Sequence, residues 1–105
     1  MEHIHFQMNK RLGIPLPELV QPWERLSLEE QSDILEYWEQ IRGRIPDRII
    51  ALEKDIIHKQ DALDQEENFE TSCMLNSEIA ELASAINDLN IWYRTQQDMD
   101  VKIHH

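Results

Sequence analysis

The sequence predicts an all-α fold: an N-terminal arm followed by three helices, dominated by a long antiparallel helical hairpin of coiled-coil character that dimerisation could complete into a larger bundle. Three observations carry this. Both glycines and all four prolines lie between residues 13 and 46, leaving 59 consecutive residues without either breaker. Helix is the structure that uses such a stretch most economically. Within residues 45–93, positions whose numbers sum to 138 pair apolar with apolar: Ile45 with Tyr93, Ile49 with Leu89, Leu52 with Ile86, Ile56 with Leu82, and Leu63 with Leu75. Lys59 opposite Ile79 is the polar exception. Such a mirror implies a chain doubled back near Phe69. Finally, the stripe that ends at Leu63 and the stripe through Leu75, Ile79, Leu82, Ile86, Leu89 and Tyr93 are out of phase. One straight helix of nearly 50 residues, dimerising as a coiled coil, would need a phase shift at its middle.

At 105 residues the chain is expected to form one domain, with an irregular apolar arm over 1–26 and a helical bundle over 27–105. In the arm, Gly13, Pro15, Pro17 and Pro22 interrupt any long element, and Pro17 suits the first position of a short helix. Leu12, Ile14, Leu16, Leu19, Val20, Trp23 and Leu26 make the arm too apolar to float, so it should pack on the helices.

Ser27-Leu28-Glu29-Glu30 is a capping box and should start a first helix over 28–44. Leu28, Ile34, Leu35, Trp38, Ile41 and Ile45 follow at helical spacing, and Gly43 suits the helix end. Pro46 should begin a second helix over 46–65, with Asp47 in its first turn and Asp55 four residues before Lys59 as a supporting pair. A turn over 66–71, built from Glu66, Glu67 and Asn68, relies on Asn68 to take a left-handed conformation. A third helix over 72–97 and a frayed tail over 98–105 complete the chain. Ile50, Ile57, Ile91 and Trp92 fall beside the hairpin seam and require cover, from the first helix or from a second copy.

Charge is unevenly spread. Residues 1–44 hold 8 acids and 5 bases, whereas residues 45–105 hold 13 and 5, for a formal net charge of −11 overall. No Lys or Arg occurs from Gln60 to Tyr93, so the hairpin tip should be a one-signed surface. Its field repels nucleic acid and anionic lipid and favours basic partners over a reach of about 8–10 Å at ordinary salt.

Cys73 stands alone, which forbids an internal disulfide and suits a reducing, cytoplasmic setting. Neither a secretory signal nor the roughly 20-residue apolar run of a membrane span is expected.

Chemistry-bearing patterns are sparse. His3 and His5 near one end, with His104 and His105 at the other, could form a carboxylate-imidazole metal site with Glu2 or Asp100 only if the ends met; the simpler expectation is solvated, frayed termini. Asp55 and His58 lie one turn apart but outside the apolar seam, whereas metal ligands in bundles project inward. Cys73 has no basic neighbour in sequence to lower its pKa and is expected to be a small packing residue. No Gly-rich phosphate loop, His-Glu-x-x-His or Gly-x-Ser-x-Gly motif occurs.

The functional expectation is therefore a small acidic, non-catalytic interaction or regulatory protein without a cofactor. It would act as a homodimer and bind a protein partner, basic in character, through a helical face or the acidic tip, with Trp23, Trp92, Glu66, Glu67 and Glu70 as candidate contacts. Two alternatives are an acidic nucleic-acid mimic that blocks a basic groove, and a metal-binding helical protein using its histidines.

Overall fold

The chain begins with a β-hairpin where an irregular arm was expected. The computed structural model describes residues 3–104, with side chains described for 3–94. Strand β1 (Phe6–Asn9) pairs antiparallel with β2 (Ile14–Pro17), matching Phe6 with Pro17, Gln7 with Leu16, Met8 with Pro15 and Asn9 with Ile14. Asn9 builds the connection: its side-chain carbonyl accepts from Leu12 N–H at 2.9 Å, and its backbone carbonyl accepts from Gly13 N–H at 2.7 Å. Gly13 closes the loop at φ +75, a conformation side chains resist. The short helix expected at Pro17 is absent. A 3-10 turn at Trp23–Arg25 follows Pro22 instead.

The remainder is helical: α1 (Leu28–Arg42), α2 (Ile45–Gln65) and α3 (Phe69–His104). The capping box forms as expected, with Glu30 N–H donating to Ser27 Oγ at 3.0 Å and Ser27 N–H to the Glu30 carboxylate at 3.4 Å. Gly43 and Arg44 both keep right-handed helical backbone angles, so α1 runs into α2 as one bent helical stretch. Pro46 explains the bend, because it cannot donate to the Arg42 carbonyl and its ring crowds that oxygen.

The turn is shorter than the sequence implies. It occupies 66–68, and Asn68 acts as a cap, its side-chain oxygen accepting from Thr71 N–H at 3.0 Å. No described residue other than glycine has positive φ, so the left-handed role expected of Asn68 is not used. Helical backbone continues past residue 97 to His104, and the side chains of the expected frayed tail, those of His104 and His105 included, lie outside the described residues.

The α3 helix lies back along the bent stretch. Near the tip Lys59 Nζ meets Glu78 at 2.9 Å, and at the bend the Arg42 guanidinium lies 4.4 Å over the Tyr93 ring. A doubled-back chain, not one rod, follows from these contacts. The molecule measures 59 × 22 × 21 Å, about the length that a 36-residue α3 spans at ~1.5 Å per residue.

The core sits at the bend rather than along the whole hairpin. Ile34, Trp38, Ile41, Ile45, Leu52, Ala85 and Leu89 are buried, and the β-hairpin seals them with Phe6, Leu12 and Ile14. Each such side chain contributes about 1.5–3 kcal/mol through burial, so the N-terminal segment is part of the core and not an appendage. Beyond Leu52 the seam thins: Ile56, Leu63, Leu75, Ile79 and Leu82 are only half-buried, as two helices without a third layer must leave them.

Several expected placements are corrected. Leu28 begins the apolar stripe in sequence but is exposed on the first turn of α1. Tyr93, expected opposite Ile45, is partly exposed under Arg42. The cover expected from the first helix reaches Trp92 but leaves Ile50, Ile57 and Ile91 about half exposed. Cys73 is exposed and free rather than a packing residue.

Gly13 offers a direct test of this architecture. A Cβ there would stand 2.5 Å from Arg48 Nε, the atom that donates to Leu12 C=O at 2.9 Å and ties the β-loop to α2. Gly13→Ala should therefore cost about 1–3 kcal/mol, lowering the melting temperature by roughly 5–15 °C. A thermal melt followed by circular dichroism checks it, and an unchanged melting temperature would remove the positive-φ turn from the fold.

Candidate functional site

The residues singled out in the sequence fall into two groups that the fold keeps apart. Trp92 lies on α3 beside the bend, meeting Trp38 edge-to-face at 5.6 Å between ring centres. Trp23 is half-buried in the 3-10 turn, where its carbonyl accepts from Gln31 Nε2 at 2.9 Å. Both tryptophans pack against the core cluster. Glu66, Glu67 and Glu70 belong to the tip, and the 22-residue step along α3 from Glu70 to Trp92 places them ~33 Å away. No single surface joins the two groups.

The tip is less uniformly acidic along its shaft than its composition suggests, because cations arrive from elsewhere in the chain. Arg11, in the β-loop, reaches three positions on one face of α3: Asp88 at 2.7 Å, Ser84 Oγ at 2.7 Å and Glu81 at 3.3 Å. The hydrogen bond with Asp88 is the largest influence holding the Arg11 guanidinium above its ordinary range. Lys59 pairs with Glu78 rather than with Asp55, and that hydrogen bond raises the lysine above its usual range against a smaller opposing effect of burial. Among the described residues Asp61, Asp64, Glu67 and Glu70 make no ion pair, while Glu66 accepts from Asn68 N–H at 3.0 Å to shape the turn. The acids at the extreme end of the rod thus keep their charge unpaired, while those of the α3 shaft are partly neutralised.

The flank facing away from the β-hairpin has the opposite character. Arg48 and the partners of Arg11 mark the side of α2 and α3 that the β-hairpin covers. Helical periodicity at about 100° per residue places Ile49, Ile50, Ile56 and Ile57 of α2 on the other side, beside Ile79, Ala83, Ile86 and Asn90 of α3. Ile50 and Ile57 are 50% and 55% exposed, so this flank is apolar and open. On α2, Glu53 and Asp64 fall between the pair Ile49 and Ile56 and the pair Ile50 and Ile57; the acids of α3 at Glu70, Glu78, Glu81 and Asp88 fall away from it. An isoleucine-lined strip, interrupted on α2 by Glu53 and Asp64, is the feature that sequence reading saw only as scattered residues needing cover.

The N-terminal histidines are anchored rather than frayed. His3 Nε2 lies 3.0 Å from the Asp33 carboxylate, and His3 Nδ1 accepts from His5 N–H at 3.2 Å. The His5 ring is buried, and its Nδ1 accepts from Val20 N–H at 3.2 Å. These bonds pin the start of the chain to α1 and to the segment before the 3-10 turn. His58 and Asp55 are exposed on α2. No group of three His, Cys, Asp or Glu among the described residues is placed to hold a metal ion. No helix among the described residues is long and apolar enough to cross a membrane.

A groove of about 540 Å³ lies beside β1, lined chiefly by His3, Ile4, Phe6, Gln7, Met8 and Tyr37. It contains no nucleophile paired with a base. Family models, curated proteins and solved structures contain no match to this chain.

Proposed function

We propose that the protein is a non-catalytic helical interaction module that pairs with a second copy through its isoleucine strip and offers its acidic tip to a basic protein partner. The strip carries this reading. On α3 the strip carries Ile79, Ala83, Ile86 and Asn90 without an acid, Glu53 and Asp64 are its charged members on α2, and Ile50 and Ile57 are left about half exposed. A stretch of ~20 residues on each of two helices gives a footprint of roughly 30 by 20 Å, or about 1,200 Å² over both copies, which reaches the size of stable interfaces. Pairing two hairpins flank to flank makes a four-helix bundle, in which the half-buried seam at Ile56, Leu63, Ile79 and Leu82 gains its missing layer.

In this arrangement the acidic ends of both copies stay outside the interface. Glu66, Glu67 and Glu70 would then meet lysine- or arginine-rich surfaces, with complexes that weaken as salt is added. The exposed, unpaired Cys73 suits a reducing cytoplasm.

Sedimentation equilibrium tests the pairing. The native chain is expected to sediment as a dimer at tens of micromolar. The double variant Ile50→Glu with Ile57→Glu should sediment as a monomer with unchanged helical circular dichroism, because both side chains are already half exposed. A native chain that remains monomeric at about 100 µM, where interfaces of this size associate, would refute the reading.

A further inference from the structure

We propose that the outer edge of β1 is a docking site for an extended, basic segment of another protein, which adds to the sheet as a third strand. This proposal is independent of the isoleucine strip. The register of the β-hairpin decides which backbone groups face outward. Glu18 N–H donates to His5 C=O at 2.7 Å, so His5 and Glu18 form a hydrogen-bonded pair, as do Gln7 with Leu16 and Asn9 with Ile14 two residues further along. Phe6 with Pro17 and Met8 with Pro15 are then the intervening pairs, whose backbone groups point away from the partner strand.

The two edges differ as a result. On β2 the outward positions are both proline, which has no N–H to give, so that edge is closed to strand addition. On β1 the outward positions are Phe6 and Met8. Phe6 N–H is taken by His3 C=O at 3.0 Å. Met8 turns both its N–H and its C=O outward, and its side chain is 59% exposed. A two-stranded sheet that blocks one edge with prolines and leaves the other edge a donor and an acceptor is built for addition on one side.

The groove beside this edge supplies the selectivity. Phe6 and Met8 share one face of the sheet with Pro15, and across the groove stands Tyr37, whose ring lies 4.6 Å from that of Phe6. A strand laid along β1 would set alternate side chains against Met8 and Tyr37, which calls for apolar residues at those positions. The adjoining surface of α1 is lined by Glu29, Glu30, Asp33 and Glu36, and Asp33 borders the groove through its bond to His3. The intervening side chains of the guest pass to the opposite face, beside Gln7, Leu16 and Glu18, where on a chain of net charge −11 lysine or arginine is favoured.

The probe is a fluorescent hexapeptide of alternating valine and lysine, titrated against the full chain, with the binding surface mapped by amide chemical shifts. Binding is expected with shifts confined to residues 4–8, Asp33 and Tyr37. The same peptide N-methylated at alternate residues, or carrying glutamate for lysine, should bind at least ten-fold more weakly. Met8→Pro removes the outward donor at a position where the opposite strand already holds a proline, and should weaken binding at least ten-fold with an unchanged thermal melt. Because the N-methylated probe leaves the protein untouched, it decides the matter even if that variant fails to fold. Absence of binding, equal affinity of the N-methylated probe, or shifts centred on Ile50 and Ile57 or on the tip would overturn the proposal. So would β1 shifts that change when the protein alone is diluted, since a second copy would then occupy the edge.

Discussion

Trp38→Ala should be the most damaging truncation in the chain, costing about 3–5 kcal/mol out of the ~5–15 kcal/mol that small domains possess. Trp38 is 1% exposed and links the three parts of the fold: it is on α1, stacks with Phe6 of β1 at 6.5 Å and meets Trp92 of α3 at 5.6 Å. Removing it leaves a cavity where the β-hairpin, the bend and α3 converge, and none of the three can move in without breaking its other contacts. The midpoint of urea unfolding, monitored by the fluorescence of Trp23 and Trp92, should fall steeply, with a drop in melting temperature of roughly 15–30 °C. Trp38→Phe separates ring from polar group. Trp38 Nε1 is buried and has no hydrogen-bond partner, and an unpaired donor of this kind costs about 1–3 kcal/mol. Phenylalanine keeps most of the ring and discards that donor, so its net loss should be below about 1.5 kcal/mol. A phenylalanine variant as unstable as the alanine variant would mean that the indole nitrogen is satisfied in solution.

The parts of the fold legible in sequence are those governed by local rules. The capping box at Ser27, the stripe through Ile34, Trp38, Ile41 and Ile45, the proline start of α2 and the reversal near residue 68 all follow from periodicity and cap chemistry, and each is present. The β-hairpin was not legible, because Pro15 and Pro17 argue against a strand unless both fall on an outer edge, which only the register reveals. The one available signal was Asn9 four residues before Gly13, flanked by apolar residues, a pattern compatible with a four-residue hairpin loop. Likewise the acidity of the α3 shaft was overstated: Arg11 reaches Glu81 and Asp88 at separations of 70 and 77 residues, and no local pattern announces such a pairing. Among the candidate contacts, Trp23 and Trp92 could be recognised as conspicuous, but whether an aromatic residue seals a core or faces a partner depends on what the rest of the chain places over it.

Comparison of Leu89→Asp with Ile56→Asp tests where the hairpin draws its stability. By sequence symmetry the two positions are equivalent, each an apolar member of a mirrored pair. The structure makes them unequal. Leu89 is fully buried beside Ile45 and Ala85 in the core at the bend, whereas Ile56 is half-buried in the outer shaft. A carboxylate at position 89 would be an unpaired buried charge in place of a packed side chain, a loss of about 5 kcal/mol or more. Most helical circular dichroism should disappear at 25 °C. At position 56 the carboxylate can turn toward water along the open flank, so the expected loss is about 1–2 kcal/mol, with helical signal retained and faster amide exchange confined to residues beyond Leu52. Both are to be measured at low protein concentration, since Ile56 borders the isoleucine strip and association would add to its apparent effect. If Ile56→Asp unfolds the chain while Leu89→Asp leaves it folded, stability resides in the shaft, and the β-hairpin is only a passenger on the bundle.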